Sequence, residues 1–175
     1  MRSVHILLFG GLLLAALACD DQPLTSGLPE TPPPPTQGVQ AFVQVDHPDA
    51  QPGEQVHVFV RVQMGTETAA KLGSYTGRLA FDPEVLAFKG DVKINDGLRV
   101  TNPNGAGGGE LRFAGAAAAG FANLTLYEGI FEVKKSGYLE ALAVQMEELS
   151  AAVTLSNLEQ NLEVPTQVFL RRTGQ

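Results

Sequence analysis

Four valines at every second position, Val56, Val58, Val60 and Val62, constrain this chain more than any other feature. His57, Phe59 and Arg61 fill the gaps between them. A repeat of two belongs to an extended strand with one apolar face, and β-branched valine suits a pleated backbone. A helix would scatter the same valines around its circumference. Ala41, Val43 and Val45 alternate in the same way with Gln40, Phe42 and Gln44. The turn-rich stretch Asp46 to Gly53 (DHPDAQPG) separates the two runs. By alternation Phe42 and Phe59 face outward, an assignment that a second layer over the sheet would invert.

The pattern continues along the chain. Gly73 to Phe81 (GSYTGRLAF) sets Tyr75, Gly77, Leu79 and Phe81 on one face and Ser74, Thr76, Arg78 and Ala80 on the other. Asp82-Pro83 stops that strand, because proline cannot donate to a ladder. Val85 to Phe88, Leu111 to Ala114, Ile130 to Lys134, Tyr138 to Met146 and Thr166 to Arg171 are further strand candidates. Gly105 to Gly109 reads as a hairpin loop, and Glu147 to Glu163 as mostly irregular with one helical turn. Many short strands with glycine and proline turns indicate an all-β sandwich or barrel. No internal repeat is visible.

The N-terminus carries a different signal. Met1 and Arg2 precede an apolar run from Ile6 to Leu17, which closes on Ala16-Leu17-Ala18-Cys19. The run falls short of the roughly 20 residues a membrane-spanning helix needs. It has the form of a secretory signal, and its end resembles the bacterial lipobox, in which the cysteine is lipidated and becomes the first mature residue. Cys19 is then the lipidation site, and its acyl chains hold the protein at a bacterial membrane on the extracytoplasmic side. It is the only cysteine, so no intrachain disulfide supports the fold. Residues 20–38 (DDQPLTSGLPETPPPPTQG) read as a linker, with polyproline II expected at Pro32 to Pro35. Removal of the signal leaves about 155 residues, enough for one domain with a sizeable core. Signal removal takes Arg2 and no acid, which leaves eleven basic against nineteen acidic residues. That balance does not suit nucleic acid.

Catalytic and metal-binding patterns are sparse. Of three histidines, His5 lies in the signal, His47 in a turn and His57 on the valine strand, with no zinc spacing. No Gly-x-Ser-x-Gly elbow exists. The stretch Asn102 to Glu110 (NPNGAGGGE) lacks the Gly-Lys-Ser/Thr ending of a phosphate loop and fails the spacing of a calcium loop. Asp91, Asn95 and Asp96 offer oxygen ligands for weak calcium, with a turn role favoured. No other cofactor is expected. Ala116 to Ala119 between Gly115 and Gly120 suggests close backbone packing or a flat binding surface. Tryptophan is absent, so a sugar-binding strip would rest on Tyr127 and Tyr138.

Several segments together resemble a cohesin module, the jelly-roll β-sandwich of cellulosomes. Pro52-Gly53-Glu54-Gln55 leads into the valine strand. Leu79-Ala80-Phe81-Asp82-Pro83-Glu84-Val85-Leu86 matches the family's strand, aromatic, Asp-Pro and Val-Leu corner. Gly109 to Phe113 and Gly129 to Lys135 resemble two later strands. The resemblance implies a cohesin-like domain over residues 39–172, preceded by a signal at 1–18 and a lipidated linker at 19–38, with a tail at 173–175. It implies a non-catalytic module that binds a dockerin-like protein through one exposed sheet face. The alternative is a carbohydrate-binding module that engages polysaccharide.

Overall fold

The computed structural model describes residues 31–158 and 168–170. Among the described residues nine strands form two sheets: β1 (Val39–Val45), β2 (Gln55–Met64), β3 (Leu72–Ala80), β4 (Leu86–Asp91), β5 (Leu98–Asn102), β6 (Glu110–Ala116), β7 (Thr125–Val133), β8 (Ala143–Ala151) and β9 (Val168–Leu170). A five-stranded sheet runs β4-β7-β2-β1-β9 and a four-stranded sheet runs β5-β6-β3-β8. All pairings are antiparallel except β1 with β9. The two sheets close face to face as a β-sandwich, one of the two architectures the strand pattern allows and the one the cohesin resemblance implies.

The alternating residues build the core. Val56, Val58, Val60 and Val62 of β2 meet Tyr75 and Leu79 of β3 in one buried cluster with Leu111, Phe113, Tyr127 and Phe131. Phe113 stacks on Tyr127 at 5.5 Å and Phe81 lies edge-on to Phe131 at 5.1 Å, which ties the layers together. The Asp82-Pro83 corner works as expected. Asp82 Oδ1 accepts from the Glu84 amide at 2.8 Å, and its carbonyl accepts from Val85 and Leu86. Gly109 sits against this corner at φ +81°, where a Cβ would collide with the Phe81 carbonyl and with Pro83.

Three segments differ from expectation. β5 follows directly on the Asn95-Asp96-Gly97 turn. The stretch from Glu147 to Ala151 is strand, not irregular chain; it completes β8 after a register shift opposite Thr76 and Gly77. Tyr138–Ala141 forms a 3₁₀ turn instead of opening that strand. Backbone pairing also starts before Val39. The Gly38, Pro35 and Thr36 carbonyls accept from the amides of Gly65, Thr66 and Glu67 at 2.8–3.0 Å, and Pro32 is buried.

Candidate binding face

The outer face of the four-stranded sheet is a grid set by register. Leu98, Ala116, Ser74 and Ser150 form one rung across four strands. Val100, Ala114, Thr76 and Glu148 form the next, and Asn102, Arg112, Arg78 and Gln145 the third. The first two rungs have an apolar corner on edge strand β5, where Leu98 is 69% and Val100 58% exposed. The third rung is charged. Arg112 Nε donates to Glu110 Oε1 at 3.0 Å, and Arg78 bridges Glu110 at 3.6 Å and Glu147 at 3.7 Å. The Arg112 hydrogen bond holds the Glu110 carboxyl below its usual pKa, and Glu110 in turn raises Arg112. Around the edge of β5 lies a cleft of about 480 Å³ whose lining includes Asp91, Lys93, Asn95, Leu98 and Val100. The apolar corner therefore continues from the flat face into a concave flank.

Arg99 fixes this edge. It points inward between Leu98 and Val100, with its guanidinium 4.6 Å from the Phe121 ring centroid. Nε donates to the Asp96 carbonyl at 2.7 Å, Nη1 to the Tyr75 hydroxyl at 2.9 Å and the Thr125 carbonyl at 2.6 Å, and Nη2 to the Asn123 carbonyl at 3.1 Å. A cation taken from water needs such partners. The result latches β5 to the start of β7 in the other sheet. Sequence reasoning missed Arg99; an arginine between two apolar residues on an alternating segment was the available signal.

The outer face of the five-stranded sheet is different. Phe42 and Phe59 point outward by alternation, yet both are buried, as is Gln44. Phe169 of β9 meets Phe42 edge-on at 5.5 Å, and His57 stacks over Phe59 at 6.0 Å. Arg61 Nη1 donates to Gln44 Oε1 at 3.0 Å, and His57 Nδ1 pairs with Glu128 Oε1 at 2.9 Å.

The tyrosine strip is corrected. Tyr127 is 3% and Tyr138 1% exposed, so neither ring offers a face to a sugar. Tyr127 lies in the inward register of β7, where Gly129 leaves room for its hydroxyl. Tyr138 donates its hydroxyl to the His47 carbonyl at 2.7 Å. Burial pushes both phenol pKa values well above the ordinary value, with the charge of Asp91 adding at Tyr127 and that of Asp46 at Tyr138.

Of the calcium candidates, Asp96 is committed to the turn. Its Oδ2 accepts from the amides of Ala122 at 2.9 Å and Asn123 at 2.7 Å, and pairs with Arg99 at 3.5 Å. Asp91 and Asn95 are exposed. Among the described residues no three histidine, cysteine or carboxylate side chains gather as a metal group, and no helix is long and apolar enough to cross a membrane. Cys19 lies outside the described residues.

No family profile and no curated protein matches the sequence. Solved structures do match. A cohesin module from a family 33 glycoside hydrolase of Clostridium perfringens superposes with a TM-score of 0.54 at 12% identity, covering 78% of this chain and 100% of that one. The sixth cohesin of Acetivibrio cellulolyticus scaffoldin B, solved in complex with a Cel5 dockerin mutant, gives 0.52 at 14%, covering 75% and 99%. A non-cellulosomal cohesin from the archaeon Archaeoglobus fulgidus gives 0.52 at 18%, covering 77% and 92%. At these identities the likeness is one of fold: the chain is a cohesin-like β-sandwich.

Proposed function

We propose that this chain is a non-catalytic interaction module, held by lipid on Cys19 at the extracytoplasmic face of a bacterial membrane, that docks a dockerin-type protein on the outer face of its four-stranded sheet. The observation that carries the docking reading is that this face presents Leu98 and Val100 to solvent beside an ordered set of charged pairs, while the other sheet has its outward aromatics buried. Exposed apolar side chains rimmed by polar ones mark interaction surfaces. Strands of five, seven, nine and nine residues at about 3.3 Å per residue and about 4.8 Å spacing give roughly 480 Å² before side-chain relief. That is more than half of the roughly 800 Å² per partner of a standard interface, and the cleft beside β5 adds to it. A cohesin of the same fold has been solved with a dockerin bound.

Calorimetric titration with dockerin modules encoded in the same genome tests the docking. Binding lost in Val100→Asp and Arg112→Glu is the expected result. Equal binding by wild type and both variants sinks this choice of face, and no binding by any such module sinks the partner class. The anchor has a separate test. Cys19→Ser should abolish incorporation of a fatty-acid analogue in cells, and equal labelling of the variant overturns lipidation.

A further inference from the structure

Among the described residues, one end of the sandwich carries little net charge. The loop 117–124 (AAAGFANL) and the loop 152–157 (AVTLSN) contain no ionisable side chain. They flank the start of β3. Ala117 and Phe121 donate to the carbonyls of Gly73 and Leu72 at 2.7 and 2.8 Å on one side, and Ala152 donates to Lys71 at 2.8 Å on the other. Exposed Glu67, Lys71 and Lys93 lie at the rim, and Asp96 pairs with Arg99 and accepts from two amides. The opposite end, by contrast, is net acidic: it carries Asp46, Asp49, Glu54, Asp82, Glu84 and Glu140 among its loops against Lys134 and Lys135.

The neutral end also displays apolar side chains. Val153 is 86% and Leu155 75% exposed. Both adopt positive φ, 70° and 55°, a conformation that a β-branched residue rarely takes. The loop is thus shaped to hold two apolar groups in solvent, and backbone outliers of this kind cluster where a surface is used. The chain enters the domain at this same end, because residues 35–38 extend the β1–β2 ladder past Met64.

We propose that this end lies against the lipid bilayer, with Val153 and Leu155 entering the interfacial region. The inference rests on the Cys19 anchor. Eleven residues lie between Cys19 and Thr31, and twelve steps of about 3.1 Å reach at most about 37 Å. So short a tether keeps the near end of the domain at high effective concentration over the membrane. The acidic end is repelled by an anionic bilayer and faces away. The neutral end meets no such barrier, and the small side chains of Ala118, Ala119 and Ala122 let it approach closely.

The chain has no tryptophan, so an introduced one reports alone. Residues 19–175 carrying Leu155→Trp are coupled through the Cys19 thiol to a maleimide lipid in anionic vesicles of phosphatidylcholine and phosphatidylglycerol with brominated acyl chains. The expected result is a blue shift and a loss of emission on coupling. Asn104→Trp, in the loop at the other end, should show neither. A solvent-like, unquenched Leu155→Trp on the vesicles overturns the proposal. So does an emission already blue-shifted before coupling and unchanged by it, which would mean that the chain itself covers the loop. Chemical coupling bypasses cellular lipidation, so this failure is distinct from loss of fatty-acid labelling at Cys19.

Discussion

The outer faces of the two sheets follow the same period of two, but they meet different surroundings. On the five-stranded sheet the outward positions include Phe42, Gln44 and Phe59, and all three are buried. On the four-stranded sheet the outward positions Leu98 and Val100 reach solvent, beside arginines and glutamates that pair with one another. The first face has the chemistry of a second core. The second has that of a surface kept available. Alternation alone therefore says which residues share a face; how deeply they are buried is decided by contacts remote in sequence, as where Phe169 of β9 meets Phe42.

The hardest test of this contrast is alkaline titration, because it asks whether the layers close completely over the centre. All three tyrosines, Tyr75, Tyr127 and Tyr138, are buried. Burial raises each phenol pKa, and at Tyr75 the neighbouring Arg99 only partly opposes it. Folded values above the unfolded ones mean that the native state keeps protons the unfolded chain loses. The stabilisation is complete below about pH 10 and is lost as pH rises beyond it, by up to about 1.4 kcal/mol per pH unit for each tyrosine. Tyrosinate absorbance should thus stay absent near pH 10 and appear together with loss of sheet circular dichroism. Gradual ionisation of any tyrosine in the intact fold would show the sandwich to be open there.

Next in size is Phe59→Ala. If the outward face of β2 is a second core, truncation should cost about 3–5 kcal/mol, as for other buried aromatics. Denaturant unfolding measures it. A loss below about 0.5 kcal/mol, the range of a surface change, would erase the difference between the two faces. Arg99→Met keeps the length of the side chain but removes the donors to Tyr75, Thr125 and Asn123. Hydrogen bonds from a charged group contribute about 1.5–3 kcal/mol each, and carbonyls that regain water recover part of that. A net loss of about 2–3 kcal/mol is expected, with faster amide exchange confined to β5 and the start of β7. Unchanged exchange in β5 would mean that the latch does not hold the binding edge.

Much of this was legible, and the exceptions have physical causes. The core faces of β2 and β3 and the Asp82-Pro83 corner follow from alternation and turn chemistry. β5 was missed because its pattern is inverted: Leu98 and Val100 face out while the charged Arg99 faces in. A period analysis expects the opposite. The end of β8 was missed because the register shift at Glu147 places Met146 and Leu149 on the same side three residues apart, which imitates a helical spacing. A sugar strip rests on Tyr127 and Tyr138 in the sequence only because tryptophan is absent, and their inward register is readable only once β7 and the 3₁₀ turn are in place. The open face itself has no residue motif. It becomes visible only when four strands separated in sequence are set side by side.

The smallest expected effect on stability is also the sharpest test of the open face. Val100→Asp places a carboxylate at a position that is 58% exposed, opposite Ala114. No buried partner is lost and no cavity forms, so the change in unfolding free energy should stay within about 0.5 kcal/mol. The same charge lies at the centre of the apolar corner, where a docked partner would have to strip its water without supplying a cation in return. Desolvating an unpaired carboxylate is costly enough to abolish micromolar binding. Stability and binding should therefore separate completely at this residue, whereas at Phe59 they should fall together. If Val100→Asp unfolds the domain, the β5 edge belongs to the core. If it leaves both stability and partner binding intact, the exposed corner is an ordinary surface, and the docking face must be sought elsewhere on the molecule.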